Sequence, residues 1–93
     1  MKNKVTFQKW SCFIQKEMYK NNRTALCLID CVTGEEILYA SVNVPELALK
    51  QDEIIIKNYS ENEGILPVLV AAKIISEPLR FHFAGFPICK LLI

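Results

Sequence analysis

The sequence predicts an α+β fold: a mostly antiparallel sheet of five to six strands with one main apolar helix packed on one face. Three observations predict it. Apolar residues alternate with period two in several short segments, turn residues separate those segments, and one apolar run has helical spacing. With 93 residues, the chain is predicted to bury its core as a single domain, residues 1–93, without disulfide or metal support.

The predicted sheet begins with three strands joined by short turns. The first strand starts at Trp10 and alternates apolar with polar residues, and Asn21-Asn22 supplies the turn after it. Residues 24–31 form a nearly continuous apolar run, typical of a strand central in its sheet. Thr33-Gly34 then turns the chain into a third strand over residues 36–44. Short turns between consecutive strands indicate an antiparallel meander.

Three further strands are predicted after Pro45, which ends the third. Residues 53–59 are rich in β-branched side chains, and residues 79–83 and 86–92 follow the helix. Alternation places the apolar and polar members of 79–83 on opposite faces of that strand: Leu79, Phe81 and Phe83 on one, Arg80 and His82 on the other.

The predicted helix spans about residues 63–75. Ser60 and Glu63 have the spacing of a capping box, and the apolar residues that follow recur at helical intervals. Pro67 removes one backbone donor, which leaves two alternatives. Either the helix is irregular there, or residues 60–66 form a separate turn and the helix begins at Pro67. Glu77-Pro78 ends the helical run.

The formal charge of +1 is unevenly distributed along the chain. In residues 1–23, six basic residues face one acidic residue, giving +5; in residues 24–63, two face eight, giving −6. Such polarity can steer a charged partner. The predicted partner-binding residues are the acidic strip Glu35, Glu36, Glu46, Asp52 and Glu53. The alternative is a nucleic-acid face of Lys9, Lys16, Lys20 and Arg23, interleaved with the aromatic residues Trp10 and Tyr19.

Enzymatic activity is not predicted. His82 is the only histidine, with no nucleophile or orienting partner near it in sequence, and phosphate-binding glycine loops are absent. Four cysteines occur without a Cys-x-x-Cys pair, so we expect free, buried thiols in a reducing compartment, no metal site and no cofactor. No run approaches the ~20 apolar residues of a membrane span, and the N-terminus lacks the apolar stretch of a secretory signal. We therefore expect a cytoplasmic protein.

Three segments carry a resemblance: Ser41-Val-Asn-Val-Pro-Glu46, the stretch 52–64 that ends in Glu63-Gly64, and Phe83-Ala-Gly-Phe-Pro-Ile-Cys89. Together they resemble a family of small uncharacterised proteins found on phages and mobile elements of Bacteroidota. The likeness covers about residues 24–92 and brings no assigned activity. The apolar helix departs from that family, whose members are more polar there. In size and composition the chain is also similar to anti-CRISPR proteins, including those aimed at type VI RNA-guided RNases.

The resemblance implies a non-enzymatic phage or mobile-element protein that binds and inhibits a host defence nuclease or its guide-RNA complex, in the cytoplasm of the bacterial host. Two alternatives stay open. One is a nucleic-acid-binding accessory protein that uses the basic N-terminal face. The other is a structural or oligomeric phage component.

Overall fold

A computed structural model describes residues 3–93 and confirms the α+β class, with two antiparallel sheets and one short helix. The first sheet contains four strands in chain order: β1 (Lys4–Phe7), β2 (Trp10–Met18), β3 (Thr24–Asp30) and β4 (Glu36–Tyr39). The second contains three, β5 (Glu53–Ile55), β6 (Arg80–Phe81) and β7 (Pro87–Lys90), with β7 in the middle. The helix α1 spans Ile65–Ala71. The prediction of a single sheet of five to six strands was therefore wrong in detail.

The predicted meander is the first sheet without its first strand. β2, β3 and β4 pair antiparallel in succession, as alternation and turn signals indicated. The sequence prediction missed β1, which pairs with β2 through a two-residue turn between Phe7 and Trp10. Gln8 takes a left-handed φ of 55° in this turn. Asparagine and glycine are the usual residues for such a conformation, so the sequence carried no turn signal there.

An antiparallel backbone bridge between Ser41 and Ile56 joins the two sheets. The Val42 N–H donates to the Ile55 carbonyl at 3.0 Å, and the Lys57 N–H donates to the Ala40 carbonyl at 2.8 Å. The predicted strands 36–44 and 53–59 were therefore too long, because the chain uses their ends to cross between sheets.

The start of the helix also differs from the prediction. Ser60–Asn62 is a separate 3₁₀ turn, and the Glu63 N–H donates to the Ser60 backbone carbonyl at 3.1 Å, so the predicted capping box does not form. The Asn58 carboxamide instead caps α1, accepting from the Leu66 N–H at 3.0 Å. Pro67 is the third residue of the helix. The first four N–H groups of a helix have no helical acceptor, so proline is tolerated there.

The helix ends at Ala71, four residues before the predicted end. Lys73 has a left-handed φ of 61°, its N–H donates to the Val70 carbonyl, and the Ile74 N–H donates to the Leu69 carbonyl, both at 3.0 Å. These two bonds define a Schellman motif with lysine in the position that glycine usually occupies. Beyond it the chain is extended, and Ile75 pairs with Leu91.

Replacing Lys73 with glycine is expected to raise the free energy of unfolding by about 1 kcal/mol, because glycine adopts the left-handed conformation without a steric penalty. Urea denaturation measures this difference. Lys73→Ala is the matched control, since it removes the same side chain but keeps Cβ. Equal stability of the two variants would contradict a left-handed Lys73.

The core lies between the first sheet, the second sheet and the helix. Its buried apolar residues come mainly from β1, β2, β3, β5, β7, α1 and the extended segment after α1; they include Val5, Phe7, Leu26, Leu28, Ile54, Leu69, Ile74 and Cys89. All four cysteines are free; Cys12, Cys27 and Cys89 are buried, and Cys31 is half-buried. Within residues 3–93, no helix has the length and apolarity needed to cross a bilayer.

Candidate functional site

An acidic surface forms on the first sheet where β2, β3 and β4 lie side by side. Cys27 of β3 has Gln15 and Tyr39 as its cross-strand partners, so the three share one face of the sheet. Glu17 lies two residues beyond Gln15 on the same face. The carboxylates of Glu17 and Glu36 and the Cys27 Sγ all lie within 4.8 Å of one another. We call Glu17, Glu36 and Tyr39 the acidic face.

Hydrogen bonds hold the acidic face in place. The Tyr39 hydroxyl donates to Glu17 Oε1 at 2.6 Å, and Glu36 Oε2 lies 3.4 Å from the same hydroxyl. Gln15 Nε2 donates to the other Glu17 oxygen at 2.7 Å. Both oxygens of Glu17 are thus oriented by neutral donors, which fix the carboxylate without cancelling its charge.

The electrostatics keep this face negatively charged. The hydrogen bonds from Tyr39 and then Gln15 lower the pKa of Glu17, and the same contact with Glu17 raises the pKa of Tyr39. At neutral pH the tyrosine is therefore a neutral donor and the glutamate is ionised. In the part of the chain that the structure describes, no lysine or arginine forms an ion pair with Glu17 or Glu36.

Glu17, Cys27 and Glu36 are also close enough together to be considered as metal ligands. Cys27 is fully buried, and burial, followed by the charges of Glu36 and Glu17, raises the pKa of its thiol to about 11. A metal would need the thiolate. Both Glu17 oxygens already accept hydrogen bonds. We therefore interpret the group as a hydrogen-bonded acidic surface.

The five acidic residues predicted from the sequence lie on different elements. Glu35 and Glu36 are exposed at the start of β4, and Glu46 is exposed in the loop between the sheets. Asp52 is exposed, with its carboxylate 3.8 Å from the Lys90 ammonium. Glu53 is buried. Its assignment as a contact residue needs correction, since its carboxylate is already engaged inside the protein.

The partner of Glu53 is Arg80, which reaches it from β6. The guanidinium donates to both carboxylate oxygens, at 2.7 and 2.9 Å, and the Lys50 N–H donates to one of them at 2.9 Å. The Glu53 side chain is 3% exposed, whereas that of Arg80 is 45% exposed. The Arg80 hydrogen bonds and then the Lys50 N–H lower the pKa of Glu53 to about 2.

The residues of the predicted basic face make separate local contacts. Lys9 Nζ lies 5.3 Å from the centre of the Trp10 ring, and Lys16 Nζ donates to the Ile93 carbonyl at 3.2 Å. Arg23 donates to the carbonyls of Val44 and Leu47, which ties down the loop that follows β4. Lys20 is exposed in a turn.

The two aromatic residues of that face are not free for stacking. Trp10 is half-buried against the core, and Tyr19 is half-buried with its hydroxyl 2.8 Å from the Ser41 Oγ. The structure therefore does not bring the basic and aromatic residues together as an open stacking platform.

The hairpin of β6 and β7 exposes apolar side chains. Leu79 is 54% exposed, Phe81 61% and Phe83 97%. We call these three residues the hairpin surface. The predicted strand 79–83 was too long: only Arg80 and Phe81 form β6, and Phe83 lies in the turn that follows, with its ring 4.1 Å from that of His82.

The hairpin turn is ordered by its histidine. The His82 ring stacks on Phe86 with centroids 5.4 Å apart, and its Nδ1 accepts from the Ala84 N–H at 3.1 Å. His82 also lines a cleft of about 320 Å³ together with Phe83 and Glu46. The histidine is thus half-buried, and its contacts order the turn.

Glu17 and Tyr39 were missed as site residues because they are 22 positions apart in sequence. The available signal was the register across the meander. The Asn21-Asn22 turn sets the β2–β3 pairing that brings Glu17 opposite Ala25, and a second pairing was needed to reach β4. A bulge between Leu28 and Ile29 shifts that second register, so simple counting would have placed β4 wrongly.

Together, the fold and the surface define a small α+β protein whose two antiparallel sheets share one helix and whose first sheet carries carboxylates without cationic partners among residues 3–93. Comparisons with protein-family models, curated proteins and solved structures found no match.

Proposed function

We propose that the protein is a non-enzymatic binding protein that docks its acidic face onto a basic surface of a protein partner. One observation carries the proposal: the carboxylates of Glu17 and Glu36 are held together without a cation from residues 3–93. Adjacent like charges destabilise a sheet, so a partner that supplies lysine or arginine would relieve the repulsion on binding.

Tyr39 makes this surface suitable for direct contact with a protein partner, in addition to electrostatic attraction of that partner. Tyr39 is 37% exposed, and its hydroxyl donates to Glu17 with Glu36 Oε2 3.4 Å from the same oxygen. Tyrosine is enriched at protein interfaces because it combines apolar area with a polar tip. Glu35 is exposed beside Glu36 and extends the negative surface along the start of β4.

The kind of partner follows from the resemblance rather than from the geometry. A host defence nuclease, such as an RNA-guided RNase or its guide-RNA complex, has a positively charged channel for nucleic acid. An acidic face that occupies such a channel would compete with phosphate groups and inhibit cleavage without catalysis. On this proposal the protein acts in the cytoplasm of the bacterial host.

Neutralising the acidic face is expected to weaken partner binding by roughly tenfold or more, since rim and surface charges govern encounter with an oppositely charged partner. The variant is Glu17→Gln combined with Glu36→Gln. The partner is first captured from the natural host with the wild-type protein and identified by mass spectrometry. Affinity for the purified partner and inhibition of its nuclease activity are then measured at increasing salt.

Glu63→Gln combined with Glu77→Gln is the matched control, because it removes the same number of charges from exposed residues outside the acidic face and away from Glu35. Unchanged affinity of the Glu17/Glu36 variant would reject the assignment. A protein that binds RNA or DNA alone, with an affinity that falls steeply as salt rises, would instead favour the basic residues Lys9, Lys16 and Lys20.

A further inference from the structure

One row of side chains crosses all four strands of the first sheet. Lys4 of β1 is the cross-strand partner of Phe13 in β2. Phe13 pairs in turn with Ile29 of β3, and Ile29 pairs with Glu36 of β4. Cross-strand partners share a face of the sheet, so the row runs from a cation through two apolar residues to a carboxylate. We call these four residues the transverse row. Glu36 belongs both to this row and to the acidic face.

The transverse row lies on the face of the sheet that points away from the core. Val5 and Cys12, the next pair along β1 and β2, are buried in the core, so Lys4 and Phe13 point the other way. Phe13 and Ile29 are half-buried and line a hollow of about 110 Å³. Apolar surface therefore continues directly from the acidic face across the sheet.

We propose that the transverse row is the second part of the docking surface, and that the protein partner meets it with a large apolar side chain next to a lysine or arginine. The apolar side chain would lie on Phe13 and Ile29, and the cation would lie on Glu36. This inference rests on the proposed function. It adds an apolar contact, which a purely electrostatic partner surface would not make.

The spacing of the strands sets the distance between the two partner groups. Neighbouring strands lie about 4.8 Å apart, so the midpoint between Phe13 and Ile29 is about 7 Å from Glu36 across the sheet. Alternate residues of an extended chain face the same way and also lie about 7 Å apart. An extended segment with an apolar residue two positions from a lysine or arginine therefore matches the row.

The cationic end of the row gives the partner segment an orientation. Lys4 Nζ lies 5.6 Å from the centre of the Phe13 ring, and within residues 3–93 Lys4 forms no ion pair. A second cation at this end would be repelled. The lysine or arginine of the partner is therefore directed to the other end of the row, where Glu36 lies.

A second copy of the chain would match the row but not the rest of the face. Two rows placed head to tail would bring Lys4 of each copy to Glu36 of the other. The same arrangement would set Glu17 of each copy over Ala25 of the other, because these two residues pair across β2 and β3. Covering a carboxylate without a cation is unfavourable. The face therefore fits a basic and apolar partner better than it fits a copy of itself.

Two peptides of equal charge test the apolar contact. Acetyl-Leu-Thr-Arg-Thr-Arg-amide places leucine two positions from an arginine, and acetyl-Ser-Thr-Arg-Thr-Arg-amide replaces only the leucine. Each peptide is titrated at low salt into the isotope-labelled protein, and binding is followed by NMR. The leucine peptide is expected to bind roughly fivefold more tightly, because it buries apolar area, and to shift the amide resonances of Phe13, Ile29 and Glu36.

Variants of the row locate the contact. Phe13→Thr and, separately, Ile29→Thr should bring the affinity of the leucine peptide to within about twofold of that of the serine peptide. Threonine is used because it is well suited to a strand. Phe83→Thr is the matched control: Phe83 is 97% exposed in the hairpin of the second sheet, so the preference for leucine should remain. Urea denaturation checks that each variant is folded.

The possible outcomes separate this inference from the proposed function. Equal affinity of the two peptides for the wild type, with shifts confined to Glu17 and Glu36, would overturn the apolar contact and leave the acidic face as the docking site. A preference for leucine that survives in both threonine variants would also overturn it. If neither peptide shifts Glu17 or Glu36, the proposed function fails together with this inference. Shifts of the row that grow with the protein's own concentration would assign the face to a second copy and overturn the proposal.

Discussion

Replacing Arg80 with methionine is expected to lower the free energy of unfolding by about 3 kcal/mol, because the substitution leaves the Glu53 carboxylate buried without its partner. The value is at the lower end for a broken buried ion pair, since water reaches the half-exposed guanidinium and screens the interaction. The Lys50 N–H would remain as a donor to Glu53 but cannot neutralise its charge. Urea denaturation at neutral pH measures the loss.

The double variant Glu53→Leu/Arg80→Met is expected to recover most of that stability, because it removes both charges from the site together. Lys57→Met is the matched control. The Lys57–Glu61 pair is as short, at 2.6 Å, but the Glu61 side chain is 60% exposed, so its loss should change stability little. If Arg80→Met and Lys57→Met lowered the free energy of unfolding equally, burial of Glu53 would not be the reason that its ion pair stabilises the protein.

The Glu53–Arg80 pair also explains why the last strands were only partly predictable. Alternation predicted a strand over 79–83 with apolar and polar residues on opposite faces, but β6 contains only Arg80 and Phe81, and Phe83 lies in a turn. Amphipathic patterning normally places the apolar side of a strand inward. Here both residues of β6 are exposed: the Arg80 guanidinium reaches the buried carboxylate of Glu53, and Phe81 faces solvent. The contact that holds Arg80 joins positions 27 residues apart, so the local sequence pattern carries no information about it.

The helix shows the limit of apolar patterning in another way. An apolar run cannot by itself distinguish a buried helix from a buried strand. Residues 65–71 are helical, but Lys73 reverses the backbone, and Ile74 and Ile75 continue as extended chain beside Leu91. Both isoleucines are buried, so apolar residues continue past Lys73 through a change of secondary structure.

The first sheet was the most predictable part of the fold because its strands are separated by turns that can be recognised from neighbouring residues in the sequence. Asparagine and glycine turns set three successive strands, and the structure keeps all three. The candidate site was predicted less well. Glu36 was selected from its charge alone, whereas Glu17 and Tyr39 join it only through pairing across β2, β3 and β4.

Acid is expected to destabilise the wild-type protein more than the Glu53→Gln variant. The pKa of Glu53 is about 2 in the folded protein, against an ordinary value of 4.5. Because the folded value is the lower one, the unfolded chain takes up the proton first as the pH falls. The stabilisation from this carboxylate is therefore complete above about pH 4.5 and is lost as the pH falls toward 2, a difference of about 3 kcal/mol.

Free energies of unfolding, measured in urea from neutral pH down to about pH 2, should show the wild type more stable than Glu53→Gln at neutral pH and the two converging in acid. Glu17 and Glu61 also have lowered pKa values, through hydrogen bonds from Tyr39 and Lys57, so both proteins should lose further stability in acid. That common loss cancels in the difference between the two curves, which isolates Glu53. Curves that stay parallel down to about pH 2 would mean that Glu53 titrates alike in the folded and unfolded chain, and the buried ion pair could not supply the stability expected of it.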